Sequence, residues 1–168
     1  MASKASASSH TFEVTTPSDR EIRMTRTFAA PRRLVFEVLT KPEHVKRWWG
    51  VLSDDYVVEV CEIDLRVGGA WRWVSKFPRG EVTFYGVYKE IVPHERLVYT
   101  EIFAPYPDEE SLVTTTLVEE AGKTHMTVTA VYSSLAVRDM VMTSGMEKGA
   151  AISYDRLEDI AIELVESR

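Results

Sequence analysis

The sequence predicts an α+β domain in which a curved antiparallel β-sheet of about seven strands wraps around one long C-terminal α-helix. Two observations lead to this fold class. Residues 56–132 carry repeated runs in which apolar and polar side chains alternate, separated by turns that contain glycine or proline. From residue 146 onward, the apolar period changes to that of an amphipathic helix. A helix of about twenty residues is roughly 30 Å long, which is enough to cross a small sheet.

The first strand leads into two short helices and a tryptophan pair. The strand ends at Phe28, and Pro31 suits the first turn of a helix because its missing N–H has no partner there. Thr40 begins a Thr-x-x-Glu capping box, which predicts the start of a second helix. That helix ends at Trp48 and Trp49.

Six strands follow, and their alternation assigns side chains to faces of the sheet. We predict them at residues 56–63, 70–77, 82–92, 96–103, 112–118 and 123–132. Trp71 and Trp73 lie two residues apart and therefore share one face of the second of these strands. In the third strand the same rule places Phe84, Tyr88 and Glu90 on one face.

The C-terminal part of the chain predicts a short helix and then the long one. The short helix covers residues 136–142, and Ser144 begins a second capping box that opens the long helix. Small residues, Gly149, Ala150 and Ser153, occupy the helix face that would meet the sheet. Opposite a sheet rich in aromatic rings, such small residues allow either close packing of the helix against the sheet or a cavity between the two.

The chain divides into a short tail and one domain. Residues 1–19 are small, polar and unpatterned, which predicts a disordered tail. Residues 20–168 show no linker or repeat, and their length suits a single domain.

The composition is that of an ordinary globular protein and argues against several functional classes. Of the 168 residues, 45% are hydrophobic and 27% are charged. The net charge of -6 disfavours binding to phosphates, so we expect no nucleic-acid partner. The sequence has no run of eighteen apolar residues and no secretory signal, and its single cysteine, Cys61, excludes an internal disulfide. We therefore expect a cytoplasmic protein without a membrane span.

Several short motifs occur in a fixed order between residues 22 and 164. They are Arg26-x-Phe28, Ala30-Pro31, Val35-Phe36, Thr40-x-Pro42-Glu43, Trp48-Trp49, Asp64-Leu65-Arg66-x-Gly68-Gly69, Gly86-x-Tyr88-x-Glu90-Ile91, Pro93-x-Glu95-Arg96-Leu97-Val98-Tyr99-Thr100 and Ser144-Gly145-Met146-x-x-Gly149. In this order they resemble the START-like, Bet v 1-like helix-grip superfamily (SRPBCC), and within it the branch named after the activator of Hsp90 ATPase.

The resemblance implies a helix-grip fold and several kinds of function. The superfamily includes binding proteins, resistance proteins, cyclases and co-chaperone domains, so its fold does not assign an activity. Many relatives carry an aromatic residue where this chain has Ala150. A small residue at that position is expected to enlarge an internal pocket.

We predict a ligand cavity between the sheet and the long helix. Tyrosine and tryptophan supply apolar walls with a few polar tips, which is typical of small-molecule sites. The expected ligand-binding residues are Trp48, Trp49, Trp71, Trp73, Phe84, Tyr88, Tyr99, Phe103, Met126, Val128, Met146, Ala150 and Ser153. We interpret Trp48 and Trp49 as residues that gate the mouth of this cavity.

Two carboxylates are candidate catalytic residues. Glu90 and Glu101 alternate with aromatic residues and are therefore expected on the inner face of the sheet. A buried carboxyl with a raised pKa can act as an acid, a base or a ligand anchor. We favour instead a carboxylate at a strand end that reaches water or an arginine such as Arg66 or Arg96, so no catalytic residue is assigned.

No other constellation points to chemistry. The four histidines lack the spacing of a metal site, so we expect no metal and no cofactor. Cys61 lies in a Val-rich strand, which favours a packed thiol over a nucleophile.

Three functions remain open at this stage. The first is non-catalytic binding of a hydrophobic small molecule that is lipid-like, aromatic or polyketide-like. The second is an enzyme of the polyketide cyclase, aromatase or hydrolase type, and the third is a chaperone-interacting module like the activator of Hsp90 ATPase. Either a monomer or a homodimer is compatible with the sequence.

Overall fold

An eight-stranded antiparallel sheet forms the centre of the computed structural model, which describes residues 11–168. The strands are β1 (Glu13–Thr15), β2 (Glu21–Phe28), β3 (Val57–Ile63), β4 (Ala70–Phe77), β5 (Gly80–Val92), β6 (Arg96–Phe103), β7 (Glu110–Glu120) and β8 (Lys123–Val131). Their order in the sheet is β1-β2-β8-β7-β6-β5-β4-β3, and all neighbours are antiparallel. Only the β2–β8 pair joins strands that are distant in sequence, so hairpins build most of the sheet.

Within residues 11–168, four α-helices cover one side of this sheet. They are α1 (Arg32–Thr40), α2 (Pro42–Trp48), α3 (Leu135–Met142) and α4 (Met146–Ser167). The predicted helix-grip fold, with two short helices after the first long strand and a long C-terminal helix, is confirmed. Within the described residues, no helix combines the length and the apolar character that crossing a membrane requires.

The packed core lies at one end of the molecule. Phe28 at the end of β2, Val35 and Val38 of α1, and Leu157 of α4 are fully buried there. By contrast, none of residues 146–152 in the first two turns of α4 is buried. The second half of α4 therefore fills the core, while its first half lies over a different part of the sheet.

A buried ion cluster joins β2 to α4. Arg26 is 1% exposed, and its guanidinium donates to Asp155 at 2.8 Å and to Glu158 at 2.9 Å. The second carboxylate oxygen of Glu158 accepts from the Ala29 N–H at 2.9 Å, and the guanidinium stacks over the Phe28 ring at 5.3 Å. The end of β2 and the middle of α4 thus meet at one arginine, which helps to set the position of α4 over the sheet.

The expected disordered tail needs one correction. Residues 1–10 lie outside the described residues, but residues 13–15 form β1 and pair with β2. Phe12 packs edge-to-face on Tyr154 at 5.9 Å. Burial of this ring offsets the entropy of ordering the segment, a contribution that the polar composition of residues 1–19 concealed.

Both predicted capping boxes are wrong. Thr40 ends α1 and its hydroxyl donates to the Phe36 carbonyl at 2.7 Å, so it does not cap α2. The Ser144 hydroxyl likewise donates to the Val141 carbonyl, and α4 begins after Gly145, which has a φ of 88°. In each case a preceding helix ends at the proposed cap, and its free carbonyls take the hydroxyl.

Candidate functional site

A cavity of about 650 Å³ lies between the sheet and the first half of α4. Residues of α2, α3 and the loop after α2 complete its wall, and most of the wall is apolar. Small-molecule sites in proteins typically occupy about 300 to 1,000 Å³. The space is therefore of the size that a drug-sized or lipid-like molecule fills.

All thirteen residues predicted to bind a ligand line this cavity. They are Trp48, Trp49, Trp71, Trp73, Phe84, Tyr88, Tyr99, Phe103, Met126, Val128, Met146, Ala150 and Ser153. For the eight residues on strands, the common location follows from alternation, since each strand contributes every second residue to the inner face. The other five lie on α4, at the end of α2 or directly after it. Binding of a ligand by these residues stays a prediction.

Gly86 makes room for the Trp71 indole of β4 beside the neighbouring strands. It pairs with Trp71 across the β4–β5 ladder, and a Cβ at this position would lie 1.8 Å from the Thr100 carbonyl oxygen and 2.8 Å from the Trp71 Nε1 atom. The missing side chain lets the Trp71 indole cross β5 and donate to the Thr100 carbonyl at 3.2 Å. The ring is thereby held in the cavity wall.

The aromatic wall is a continuous set of ring contacts. The ring centroids of Trp71 and Trp73 are 5.0 Å apart, and those of Phe84 and Phe103 are 5.1 Å apart in a stacked pair. Among the described residues, the indole nitrogen of Trp73 is the one buried side-chain polar atom that has no hydrogen-bond partner. Its N–H is enclosed by other rings, because the Trp73 ring contacts those of Trp48, Trp49 and Trp71.

Trp48 lacks the exposure expected of a residue at the cavity mouth. It is 4% exposed and its indole N–H donates to the Val38 carbonyl at 2.9 Å, so the ring is fixed in the wall. Trp49 is half-buried, and its ring meets those of Trp73 at 5.3 Å and Phe84 at 5.9 Å. Only Trp49 keeps the partial exposure that a residue at an opening needs.

Glu101 is the predicted carboxylate that does line the cavity. It lies on β6 between Tyr99 and Phe103, and within residues 11–168 its carboxylate has no hydrogen-bond or ion-pair partner. Burial raises its pKa from an ordinary value of 4.5 to about 7. Glu101 is therefore able to hold or release a proton near neutral pH.

Three tyrosines lie within electrostatic range of this carboxylate. Burial, and after it the charge of Glu101, raises the pKa of Tyr99, Tyr132 and Tyr154 above its usual range. Their hydroxyls thus stay neutral over the whole range in which Glu101 titrates.

Glu90 lies outside the cavity, contrary to the prediction. The register of β5 against β6 shifts between Tyr88 and Glu90, which marks a bulge at Lys89. The extra residue turns Glu90 to the outer face, where it accepts from the Arg96 guanidinium at 2.8 Å and is about half exposed. The surface ion pair with an arginine, which the sequence analysis favoured, is the one that forms.

The remaining candidates carry no reactive group into the cavity. Burial raises the pKa of the Cys61 thiol to about 11, so the thiolate that a nucleophile requires is disfavoured. Among residues 11–168, no three side chains of His, Cys, Asp or Glu are grouped so that they could hold a metal ion.

The sequence-based list missed several residues of the cavity wall. Tyr154 lines it, as do Val137, Met140 and Val141 of α3. Tyr154 follows Ala150 by four residues on α4, so it left a signal in the pattern. The position of α3 left none, because it depends on tertiary contacts.

A curved antiparallel sheet closed by a long C-terminal helix, with a cavity between them, defines the helix-grip class of proteins. Residues 29–161 match the sequence profile of the family described as "Activator of Hsp90 ATPase homolog 1-like protein". The chain belongs to this family, which confirms the superfamily and branch inferred from the motifs. No curated protein sequence matches the chain.

Several solved structures share the fold. A protein from Rhodobacter sphaeroides is 25% identical with a TM-score of 0.81, and the match covers 91% of this chain and 99% of that one. A protein from Nitrosomonas europaea is 22% identical with a TM-score of 0.75, covering 89% and 98%. DynU16, a protein in the dynemicin biosynthetic locus, is 23% identical with a TM-score of 0.65, covering 90% of this chain and 49% of its own.

Proposed function

We propose that the protein binds a hydrophobic small molecule, lipid-like, aromatic or polyketide-like, in the cavity between the sheet and α4. The observation that supports this most strongly is the cavity itself, which has a volume of about 650 Å³ and a largely apolar wall. A bound molecule gains about 25 cal/mol for each Å² of apolar surface it removes from water. Burying about 200 Å² would therefore contribute roughly 5 kcal/mol before the entropy of association is subtracted.

The sequence of α4 supports an open cavity. Gly149 and Ala150 face the aromatic wall, and the nearest atom to a Cβ added at Gly149 is a methyl carbon of Leu52, 3.9 Å away. A large side chain at Ala150 would enter the cavity from the helix side. Small residues here keep free the space that a filled core would occupy.

The proposal predicts that filling the cavity from α4 abolishes binding. A neutral apolar fluorophore, N-phenyl-1-naphthylamine, is expected to bind the wild-type protein saturably with increased, blue-shifted emission. The Ala150→Phe variant places a ring in the same space, so its affinity is expected to fall by at least about tenfold, which is 1.4 kcal/mol.

Lys148→Phe provides the matched control, because Lys148 is exposed on the same helix and does not line the cavity. It adds the same ring and is expected to change the affinity by less than about twofold. Far-UV circular dichroism verifies that both variants are folded. Absence of saturable binding to the wild type, or equal binding by Ala150→Phe, would contradict the proposal.

Glu101 favours acid–base catalysis as a second candidate function. Proton transfer is most efficient when the pKa of the catalytic group lies near the working pH, and the pKa of this carboxyl is about 7. A reaction of the cyclase, aromatase or hydrolase type would use it as acid or base. Mass spectrometry of polyketide-like and ester compounds incubated with the protein tests this. Conversion by the wild type that Glu101→Gln loses supports it, and unchanged compounds argue for binding alone.

A further inference from the structure

We infer that the cavity selects an apolar molecule that carries a protonated amine, and that Glu101 is the partner of that amine. This inference rests on the proposed function, since it names the chemical class of the molecule bound there. It follows from the charges of the wall, the unpaired state of Glu101 and the rings around it.

The charges that line the cavity all have one sign. Its charged wall residues are Glu101 and Glu109, and no lysine, arginine or histidine is found among the wall residues that the structure describes. Arg26 is buried nearby, beside Tyr154, but Asp155 and Glu158 already hold its guanidinium. A fatty acid or another anionic ligand would therefore meet two carboxylates and no cation, which is unfavourable in a desolvated site.

Glu101 has acceptor capacity that the protein itself does not use. Its partner across the β6–β7 ladder is Ser111, but the Ser111 hydroxyl donates to the backbone carbonyl of Glu101 at 3.2 Å. The side-chain carboxylate of Glu101 therefore accepts no hydrogen bond from residues 11–168. Glu109 differs, because it accepts a hydrogen bond from the Ser133 hydroxyl. Of the two carboxylates, Glu101 is the one that accepts no hydrogen bond from residues 11–168.

Three tyrosines lie within electrostatic range of the unpaired carboxylate. Tyr99, Tyr132 and Tyr154 lie close enough for the charge of Glu101 to raise the pKa of each. A carboxylate among aromatic rings suits a substituted ammonium group, because the ring faces attract the cation while the carboxylate accepts its N–H groups. A neutral alcohol would gain only an ordinary hydrogen bond at the same place.

The titratable groups near Glu101 define the pH dependence of this site. They are Tyr99 on β6, Tyr132 after β8, Tyr154 on α4 and Glu109 before β7. The tyrosines stay neutral because their pKa values are raised, and the pKa of Glu101 is about 7. Glu101 is therefore mainly ionised at pH 8 and mainly protonated at pH 5.5.

Three ligands of nearly equal shape test the inference. They are 2-(2-naphthyl)ethylamine, which is protonated at both pH values, 2-(2-naphthyl)ethanol and 2-naphthylacetate. Displacement of N-phenyl-1-naphthylamine measures the affinity of each. At pH 8 the wild type is expected to bind the amine at least about tenfold more tightly than the alcohol, and the carboxylate most weakly. At pH 5.5 the preference for the amine should shrink to about twofold or less, since Glu101 is then protonated.

Glu101→Gln and a matched control test the role of Glu101 itself. Glu101→Gln keeps the size of the side chain and is expected to remove the amine preference at pH 8, while Glu110→Gln, at an exposed residue that does not line the cavity, keeps it. Should Glu101→Gln fail to fold, the pH dependence of the wild type still decides the question. An alcohol that binds as tightly as the amine at pH 8 overturns the inference and leaves the proposed function intact. Failure of the fluorophore and of all three ligands to bind overturns the proposed function as well.

Discussion

Glu101 combines partial burial, a carboxylate without a partner among residues 11–168, and access to a cavity in one side chain. A carboxylate loses hydration energy in such a place, and residues 11–168 supply neither a cation nor an N–H group in return. The residue therefore lowers the stability of the ligand-free protein whenever it is ionised. Such a cost is common at functional positions, where the missing partner is a ligand.

This cost predicts a specific pH dependence of stability. The pKa of Glu101 is about 7 in the folded protein against an ordinary value of 4.5. Below pH 4.5 both states are protonated and the residue has no effect. Between pH 4.5 and 7 the unfolded chain loses the proton first, so the free energy of unfolding falls as pH rises, and above 7 the loss is at most about 3 kcal/mol.

Glu101→Gln is expected to remove this dependence. Urea unfolding should show the variant and the wild type equally stable near pH 4.5, and the variant more stable by about 2 to 3 kcal/mol at pH 8. Glu110→Gln is the control, because Glu110 is exposed on the adjacent strand. A constant difference between variant and wild type from pH 4.5 to 8 would show that Glu101 ionises normally in the folded state.

The sequence predicted the face of the sheet correctly for Glu101 and incorrectly for Glu90. Strand alternation placed Glu101 correctly, because β6 is regular between Tyr99 and Phe103. The same rule failed for Glu90, since one extra residue in β5 reverses the faces after Tyr88. A bulge leaves little trace in a hydrophobic pattern when exposed polar residues surround it.

Among the elements, α4 is held over the sheet by a charged contact as well as an apolar one. Arg26 is buried between β2 and α4 and pairs with Asp155 and Glu158. Loss of the arginine would leave Glu158, whose side chain is 11% exposed, without its cation. An uncompensated buried charge of this kind typically costs 3 to 5 kcal/mol.

We predict that Arg26→Met lowers the free energy of unfolding by about 3 kcal/mol or more. The matched control is Arg47→Met, because Arg47 pairs with Glu163 of the same helix but both side chains are at least half exposed. Surface pairs contribute little, so the control is expected to change stability by less than about 0.5 kcal/mol in urea unfolding.

A double variant identifies the source of that loss. Arg26→Met combined with Glu158→Gln removes the stranded charge and keeps an acceptor for the Ala29 N–H. It should therefore be more stable than Arg26→Met alone. A double variant that is less stable, or an Arg26→Met variant within about 1 kcal/mol of the wild type, would show that the cluster does not anchor α4.

Helix boundaries show why local motifs were a weaker guide than periodicity. The amphipathic pattern predicted α4 because it spans many turns. The capping boxes at Thr40 and Ser144 involved only four residues each, and in both cases the hydroxyl served the end of the preceding helix. When a motif fits the end of one helix as well as the start of the next, the sequence alone does not decide which of the two helices it caps.

At the scale of the whole molecule, the chain divides into a filled end and a hollow end. Leu157 and Ala161 of α4 are fully buried in the core, whereas Gly149 and Ala150 border the cavity. Along α4, larger side chains such as Leu157 thus lie at the filled end, and Gly149 and Ala150 lie at the hollow end. The sequence already shows this contrast in side-chain size. The thirteen residues expected to bind a ligand, together with Glu101, all line the one cavity.

The enclosing parts of the cavity could not be predicted in the same way. The position of α3, whose Val137, Met140 and Val141 border the space, depends on where the chain turns after β8. The fixation of Trp48 depends on a hydrogen bond to Val38, ten residues earlier on another helix. Both are tertiary contacts between short elements, for which a hydrophobic pattern carries no distance information.

The central claim is that an apolar molecule occupies the cavity, and the position of a bound probe tests it most directly. We predict intermolecular nuclear Overhauser effects from N-phenyl-1-naphthylamine to the methyl groups of Met126, Met146 and Ala150 in the wild-type protein. These three residues come from β8 and α4 and meet only around the cavity. Contacts confined to exposed apolar residues such as Val57 and Val118, with none inside the cavity, would contradict the account.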